Sequence, residues 1–247
     1  MKFSLSILSL ALLPALAFCT ASKAPTPASV LEAFIAAGGG REAYEAVHSR
    51  ISHGTCSLRG KEIEGTVTIT EAEPGKNHVV MSMGDLGTLT QATDGESAWV
   101  IEPLRPPRLR AGEERERALR SATFHWFLKF DDLYESGTCT IDTLDGVRHH
   151  RLTMRPVSGD PDVLYFDAET NLLVRLDTTM AARGGSLPVE TRYADYREVD
   201  GILVPHRMVQ TMGDTVIEIV LDRVEHNRPI PDDLFALPKV LEDDSPD

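Results

Sequence analysis

The chain is poor in basic residues, and this shortage excludes one broad class of partner. Its 247 residues include 25 Lys and Arg against 38 Asp and Glu, a formal net charge of −13 at pH 7. Proteins that bind nucleic acid concentrate Lys and Arg in a patch or stripe, and this sequence has no such cluster. The same shortage argues against electrostatic attachment to anionic lipid. We therefore expect no nucleic-acid partner.

The sequence also lacks the short motifs that support catalysis or hold a cofactor. It contains no His-Glu-x-x-His, no Cys-x-x-Cys, no Asp-rich calcium loop and no glycine-rich phosphate loop after a strand. The adjacent His149 and His150 would point to opposite faces of a strand, so they are poorly placed to chelate one ion. The segment 95–99 begins like a nucleophile elbow but ends in Trp99 where the motif needs glycine. We predict no catalytic residue, no metal site, no cofactor and no enzymatic activity.

The N-terminus carries the one long apolar run. Residues 1–21 contain a lysine near the start, apolar residues over 3–18 and a small-residue exit, which together predict a secretory signal peptide cleaved after Ala21. A competing interpretation makes Cys19 the lipidated residue of a lipoprotein box, although Phe18 stands where a small residue is normally needed. Either interpretation predicts an exported protein, periplasmic or secreted, with a lipid anchor only in the second.

Cysteine is scarce, and two cysteines remain after cleavage of the signal peptide. Cys56 and Cys139 each occur in a Gly-Thr-Cys tripeptide near the start of a candidate strand. An oxidising compartment makes a disulfide between them one alternative. Two unrelated buried thiols are the other alternative, because the sequence does not give the distance that the bond requires.

Apolar periodicity divides the chain into two short helices and a long series of strands. After a linker at 22–27, residues 28–37 and 41–47 have helical spacing. The period then changes to two, with Asp-Gly turns between the runs. We predict one domain at 28–238 and an acidic tail at 239–247. The candidate strands are 48–58, 63–70, 78–83, 86–93, 97–102, 137–143, 147–154, 163–167, 172–180, 187–197, 202–212 and 215–224.

The only long helical pattern among the strands runs from Glu113 to Tyr134. Trp126 and Phe127 belong to its broad apolar side, whereas Phe124 and Leu128 point toward its polar side. One interpretation is an amphipathic helix packed on the sheet. The other is a helix with two apolar surfaces, one for the sheet and one for an apolar ligand.

Two hairpin segments in the second half resemble those of LolA/LolB-like proteins, the outer-membrane lipoprotein-sorting type. They are Leu164–Leu173 (LYFDAETNLL) and Tyr193–Pro205 (YADYREVDGILVP), and the ending 224–238 fits the same group. The resemblance implies a mainly β (α+β) fold. It would be an unclosed antiparallel β-barrel of about eleven strands with helices across its open side.

The resemblance also implies an envelope protein that binds a lipid or a lipoprotein acyl chain in the half-barrel, as a carrier would. The alternative is a non-catalytic envelope scaffold that uses the same fold to hold a protein partner. We expect a monomer in either case. The helical segment Glu113–Tyr134 would then cover the cavity as a lid. The predicted ligand-cavity residues face inward from strands or belong to this lid, and they are Val67, Ile69, Val80, Leu89, Trp99, Ile101, Trp126, Phe127 and Phe130.

Overall fold

A computed structural model describes residues 24–182, 185–231 and 233–242, and one antiparallel sheet of 13 strands dominates them. The predicted signal peptide and Cys19 lie outside the described residues. The strands are β1 (Ser49–Leu58), β2 (Ile63–Ala72), β3 (Lys76–Ser82), β4 (Thr88–Thr93), β5 (Ala98–Ile101), β6 (Arg108–Leu109), β7 (Tyr134–Leu144), β8 (Val147–Pro156), β9 (Asp162–Asp167), β10 (Leu173–Ala182), β11 (Gly185–Val199), β12 (Ile202–Met212) and β13 (Thr215–His226).

Within these ranges five α-helices flank the sheet, and two short 3-10 turns occur at Gly84–Leu86 and Trp126–Leu128. Thr26 caps the first helix, since its side chain accepts a hydrogen bond from the Ser29 amide at 3.2 Å in a capping box. None of these helices is long and apolar enough to cross a bilayer. The helices are α1 (Pro27–Ala37), α2 (Arg41–Glu45), α3 (Gly112–Ser121), α4 (Phe130–Leu133) and α5 (Lys239–Glu242).

The sheet consists of two meanders joined side by side. Strands β1 to β6 form one, β7 to β13 form the other, and β1 pairs with β13. The free edges are therefore β6 and β7, and the segment between them, which holds α3 and α4, crosses the open side. The predicted mainly β, unclosed barrel with helices across its open side is confirmed. The two-residue strand β6 is additional to the predicted strands.

Tight turns and one bulge shape the sheet. Asp145-Gly146 and Asp200-Gly201 both have positive φ at both turn residues, 53° and 82° in the first and 49° and 83° in the second. Two-residue hairpins of this kind need such values, and Asp-Gly supplies them. The register between β1 and β13 shifts at Gly54, where a Cβ would overlap the Val220 carbonyl oxygen. This close approach requires glycine and bends the strand.

The prediction of one long helix over Glu113–Tyr134 is wrong. Helix α3 ends at Ser121, His125 adopts a left-handed conformation with φ 49°, and Tyr134 begins β7. A continuous helix would have turned Phe124 toward the polar side, whereas the break leaves it 2% exposed in the main core. Leu128 packs against the same core. Both residues are therefore internal packing and do not mark a surface for a partner.

Both cysteines are free, so the disulfide alternative is not realised. Cys56 lies on β1 and Cys139 on β7, and the strand order places six strands between these two. The predicted acidic tail also differs in part from the expectation. Its first residues form α5, and Leu241 is buried against Trp99 on the outer face of the sheet.

Candidate functional site

A cavity of about 340 Å³ lies on the inner face of the sheet, beneath the segment that crosses the open side. Paired residues in neighbouring strands share a face, so the register carries one apolar surface from β9 through β10 to β13. A volume of this size is within the usual range for small-molecule sites. The apolar wall is formed by Ile69, Leu164, Leu173, Leu176, Met208 and Leu221.

Aromatic side chains close the cavity on the helical side. Phe34 of α1 meets Phe127 edge to face, with ring centroids 5.0 Å apart, and Tyr44 of α2 meets Phe127 at 4.7 Å. Trp126 lines the cavity beside Phe127. Edge-to-face pairs add to the burial energy of the rings and fix their orientation. The lid is therefore an ordered part of the core.

One end of the cavity is polar. Arg50 of β1 lies directly opposite Glu71 of β2, and its Nε donates to the Glu71 carboxylate at 2.8 Å. The Arg50 guanidinium also lies 5.7 Å from the centre of the Phe124 ring, a cation–π distance. Ser52, two residues further along β1, is 2% exposed and lines the cavity.

A second polar group joins α3 to the sheet. Arg120 Nε lies 3.3 Å from the Asp162 carboxylate, and the Tyr134 hydroxyl donates to the same carboxylate at 2.8 Å. The side chains of Arg120 and Asp162 are only 10% and 9% exposed. Burial, and then the nearby Asp162 charge, raise the pKa of Tyr134, so its hydroxyl remains a donor.

His125 stands where the helical segment turns into the core. Its Nε2 lies 3.2 Å from the Val47 carbonyl oxygen, which fixes that nitrogen as the donor. Burial, reinforced by the charge of Arg50, lowers the pKa of His125 from 6.5 to about 3. The imidazole is therefore neutral in the folded protein at physiological pH.

The variant His125→Asn is expected to weaken the loss of stability on acidification. The unfolded chain takes up a proton on His125 as the pH falls below 6.5, whereas the folded protein does so only near 3. Stability present above pH 6.5 is therefore lost as the pH falls through this window, by up to about 1.4 kcal/mol per pH unit. Asparagine tolerates the left-handed backbone. Urea unfolding at several pH values measures the slope, and equal slopes in both proteins would contradict the assignment.

No protein-family model and no curated protein sequence matches the chain. Solved structures do match it. A LolA superfamily protein from Nitrosomonas europaea has a TM-score of 0.58 at 13% identity, covering 87% of this chain and 99% of its own. A DUF1329 family protein from Desulfovibrio piger has a TM-score of 0.57 at 13% identity, covering 84% and 95%. A domain from Vibrio parahaemolyticus assigned to outer membrane lipoprotein-sorting proteins has a TM-score of 0.54 at 11% identity, covering 85% of this chain and 95% of its own.

The chain has the LolA-like fold. The resemblance inferred from the hairpin segments is confirmed at the level of fold. At 11–13% identity, the structural match is evidence for the fold alone. In this LolA-like barrel, the described residues contain no cluster of three potential metal ligands. Each histidine hydrogen bond within the same ranges goes to a carbonyl, a threonine or a carboxylate, such as that of His226 to Asp200 at 3.1 Å.

Three of the nine predicted cavity residues line the cavity of the LolA-like barrel: Ile69, Trp126 and Phe127. Val67 and Leu89 face the same side of the sheet but pack with Met81 in a separate cluster over β1 to β4. The strands β2 and β4 extend past the cavity. A residue on them can therefore face inward without lining the cavity.

The other four predicted residues lie away from the cavity. Phe130 packs against the main core from the short helix α4. Val80 lies on the outer face, because Val79 and Met81 on either side of it face inward. The inward placement predicted for Trp99 and Ile101 is also wrong.

The register decides the direction of Trp99 and Ile101. Val100 between them pairs with Gln91, and Gln91 pairs with the inward Val79. Val100 therefore faces inward and its two neighbours face outward. There Trp99 and Ile101 pack with the C-terminal residues Leu237 and Leu241.

The sequence interpretation missed the charged groups of the cavity. Glu71 continues the inward series of Val67 and Ile69 at a period of two, so the alternation that predicts β2 also places a carboxylate inside the barrel. That pattern was a usable signal. No comparable signal exists for Arg120 and Asp162, which are 42 residues apart and meet only through the fold.

Proposed function

We propose that this protein is an exported envelope protein that binds an apolar ligand, a lipid or a lipoprotein acyl chain, in the half-barrel cavity. The observation that supports this proposal most directly is the apolar cavity of about 340 Å³ between the sheet and the aromatic lid. Each methylene buried there contributes about 0.8 kcal/mol to affinity. The shared fold with a domain assigned to lipoprotein sorting supports the same proposal, and the apolar segment at 1–21 supports export.

The proposed role is binding without catalysis. The cavity combines apolar walls with charged side chains that are already paired, Arg50 with Glu71 and Arg120 with Asp162. Such groups orient a ligand and close the site around it. The predicted absence of a cofactor remains part of the proposal.

The test is binding of a fluorescent fatty-acyl probe by the purified protein, with a matched pair of variants. Leu176→Trp fills the cavity from its wall, and we expect at least a ten-fold loss of affinity for the probe, about 1.4 kcal/mol. Thr179→Trp adds the same ring to the outward face of the same strand and should leave the affinity unchanged.

Solvent extraction of the purified protein gives an independent readout, since a natural ligand should appear as lipid. No saturable probe binding and no extracted lipid would reject the proposal. If a protein instead co-purifies in fixed proportion, the envelope scaffold becomes the better explanation of the fold.

A further inference from the structure

Strand β7 is a free edge of the sheet, and its sequence does little to protect it. It pairs with β8 on one side, and within the described residues no strand pairs with its other side. Edge strands carry unpaired backbone N–H and C=O groups, and natural proteins usually blunt them with lysine, proline or very short length. Residues 136–144 contain no Lys, Arg or Pro, and most of them are exposed. The opposite edge, β6, is two residues long, and Arg108 ties it to Glu114 of α3 at 2.7 Å.

The length of β7 defines a self-complementary register. The strand spans Tyr134–Leu144, and Cys139 is its central residue. Two antiparallel copies that pair over the whole strand therefore have Cys139 opposite Cys139 on a two-fold axis. The same register sets Ile141 of each copy opposite Gly137 of the other.

The inner face of this register matches an exposed apolar side chain with a gap. Ile141 is 51% exposed, although it shares its face with Cys139, which packs against the main core. Gly137 offers no side chain, and a Cβ there would lie 2.6 Å from Met154 Sδ and 3.2 Å from Pro27 Cγ. In the paired strands, the isoleucine of one copy covers this apolar spot of the other. The two-fold axis repeats the contact.

The outer face of the same register brings opposite charges together. Asp142 lies opposite Ser136 of the second copy, and Ser136 pairs with Arg155 of β8 in its own chain. Arg155 is exposed and has no carboxylate partner in the part of the chain that the structure describes. Asp142 accepts a hydrogen bond from the adjacent Thr143 amide at 2.7 Å. Two strand spacings, about 10 Å, separate the two charged residues, and the small Ser136 leaves that span open to the long arginine side chain.

We propose that β7 is the interface of a homodimer, in which two half-barrels join into one sheet by antiparallel pairing centred on Cys139. This inference goes beyond the proposed function, because the edge strand binds a second copy of the chain and takes no part in the cavity. It differs from the monomer expected from the sequence, which does not show which strands end the sheet. A one-strand interface is small, so the dimer dissociates in the micromolar range. Unfolding measured at lower chain concentrations reports on the monomer, with Ile141 exposed.

Sedimentation of the purified protein at several concentrations measures the Kd of the dimer. For Arg155→Glu we expect about a ten-fold higher Kd, because the charge pair occurs twice in the interface and becomes repulsive. Asp142→Arg combined with Arg155→Glu should restore the wild-type value. Lys61→Glu makes the same change of charge in the turn between β1 and β2 and should leave the Kd unchanged. A monomer at every concentration up to the solubility limit would overturn the proposal, and so would a dimer that Arg155→Glu does not weaken.

Disulfide cross-linking tests the register independently. Two Cys139 thiols and one oxidised glutathione give the intermolecular disulfide and two reduced glutathione molecules. We expect a covalent dimer on a non-reducing gel, and none for Cys139→Ser. Thr143→Cys in the Cys139→Ser background places an exposed thiol on the same face of the strand. The two thiols then lie about 27 Å apart in the dimer, far beyond the reach of a disulfide, so this variant should not cross-link. Equal cross-linking at both positions would indicate random collision and overturn the register, whatever the protein binds in its cavity.

Discussion

The variant Phe166→Ala is expected to lower the free energy of unfolding by about 3–5 kcal/mol. Phe166 of β9 has no exposed surface and sits in the main core, with its ring 5.4 Å from that of Phe34 on α1. Truncation removes the contact between the helix and the sheet and leaves a cavity that packed neighbours cannot refill. Urea denaturation followed by far-ultraviolet circular dichroism measures the loss.

Ile141→Ala serves as the control for that measurement. Ile141 belongs to the edge strand β7 and is 51% exposed, so its truncation should change stability by no more than about 0.5 kcal/mol. A loss below about 1 kcal/mol for Phe166→Ala would show that α1 is not anchored as described. Similar losses for the two variants would contradict the division into core and edge.

Much of the sheet follows from local signals in the sequence. Asp145-Gly146 and Asp200-Gly201 predict two-residue hairpins, and the strands on either side of each turn pair as the turns require. Val67, Ile69 and Glu71 alternate along β2 and therefore share one face of the strand. Once the inward face of the paired strand β3 is known, the inward face of β2 follows. These signals act over a few residues, so a single sequence contains them in full.

The break after α3 depends on contacts that the sequence does not display. The residues from Glu113 to Tyr134 have helical spacing, but one straight helix that buries Phe127 on its broad apolar side turns Phe124 toward its polar side. The core gains more from both rings than the helix loses at His125, where the backbone turns left-handed. Whether ring burial outweighs the broken helix depends on how β1, β9 and α1 surround the two rings, and the local sequence does not show this.

The outward direction of Trp99 also depends on tertiary contacts that the local sequence does not show. Strand β5 is buried on both faces, with Ala98 and Val100 on one side and Trp99 on the other, so its composition does not reveal which face is inside. The cover on the outer face comes from Leu237 and Leu241, more than a hundred residues later in the sequence. Tertiary pairing, and not the pattern of β5, therefore decides the direction.

Removal of the Asp162 carboxylate should be nearly as damaging as the loss of Phe166. Asp162→Ala leaves Arg120 buried without its partner and removes the acceptor of the Tyr134 hydroxyl, so we expect a loss of about 3–5 kcal/mol in urea unfolding. Helix α3 has no buried apolar residue, and this contact fastens its end to the sheet. We therefore also expect faster dissociation of the bound acyl probe, measured by stopped-flow fluorescence.

Two further variants separate the ion pair from general disturbance of α3. Glu116→Ala breaks the more exposed pair with Arg115 within the same helix and should cost at most about 1 kcal/mol, with no change in probe dissociation. Replacement of Arg120 and Asp162 together by leucine removes both charges. It should be less destabilising than Asp162→Ala alone, because no unpaired charge stays buried. If the double variant unfolds as readily as Asp162→Ala, the loss of stability comes from disturbed packing at this point and not from an unpaired buried guanidinium.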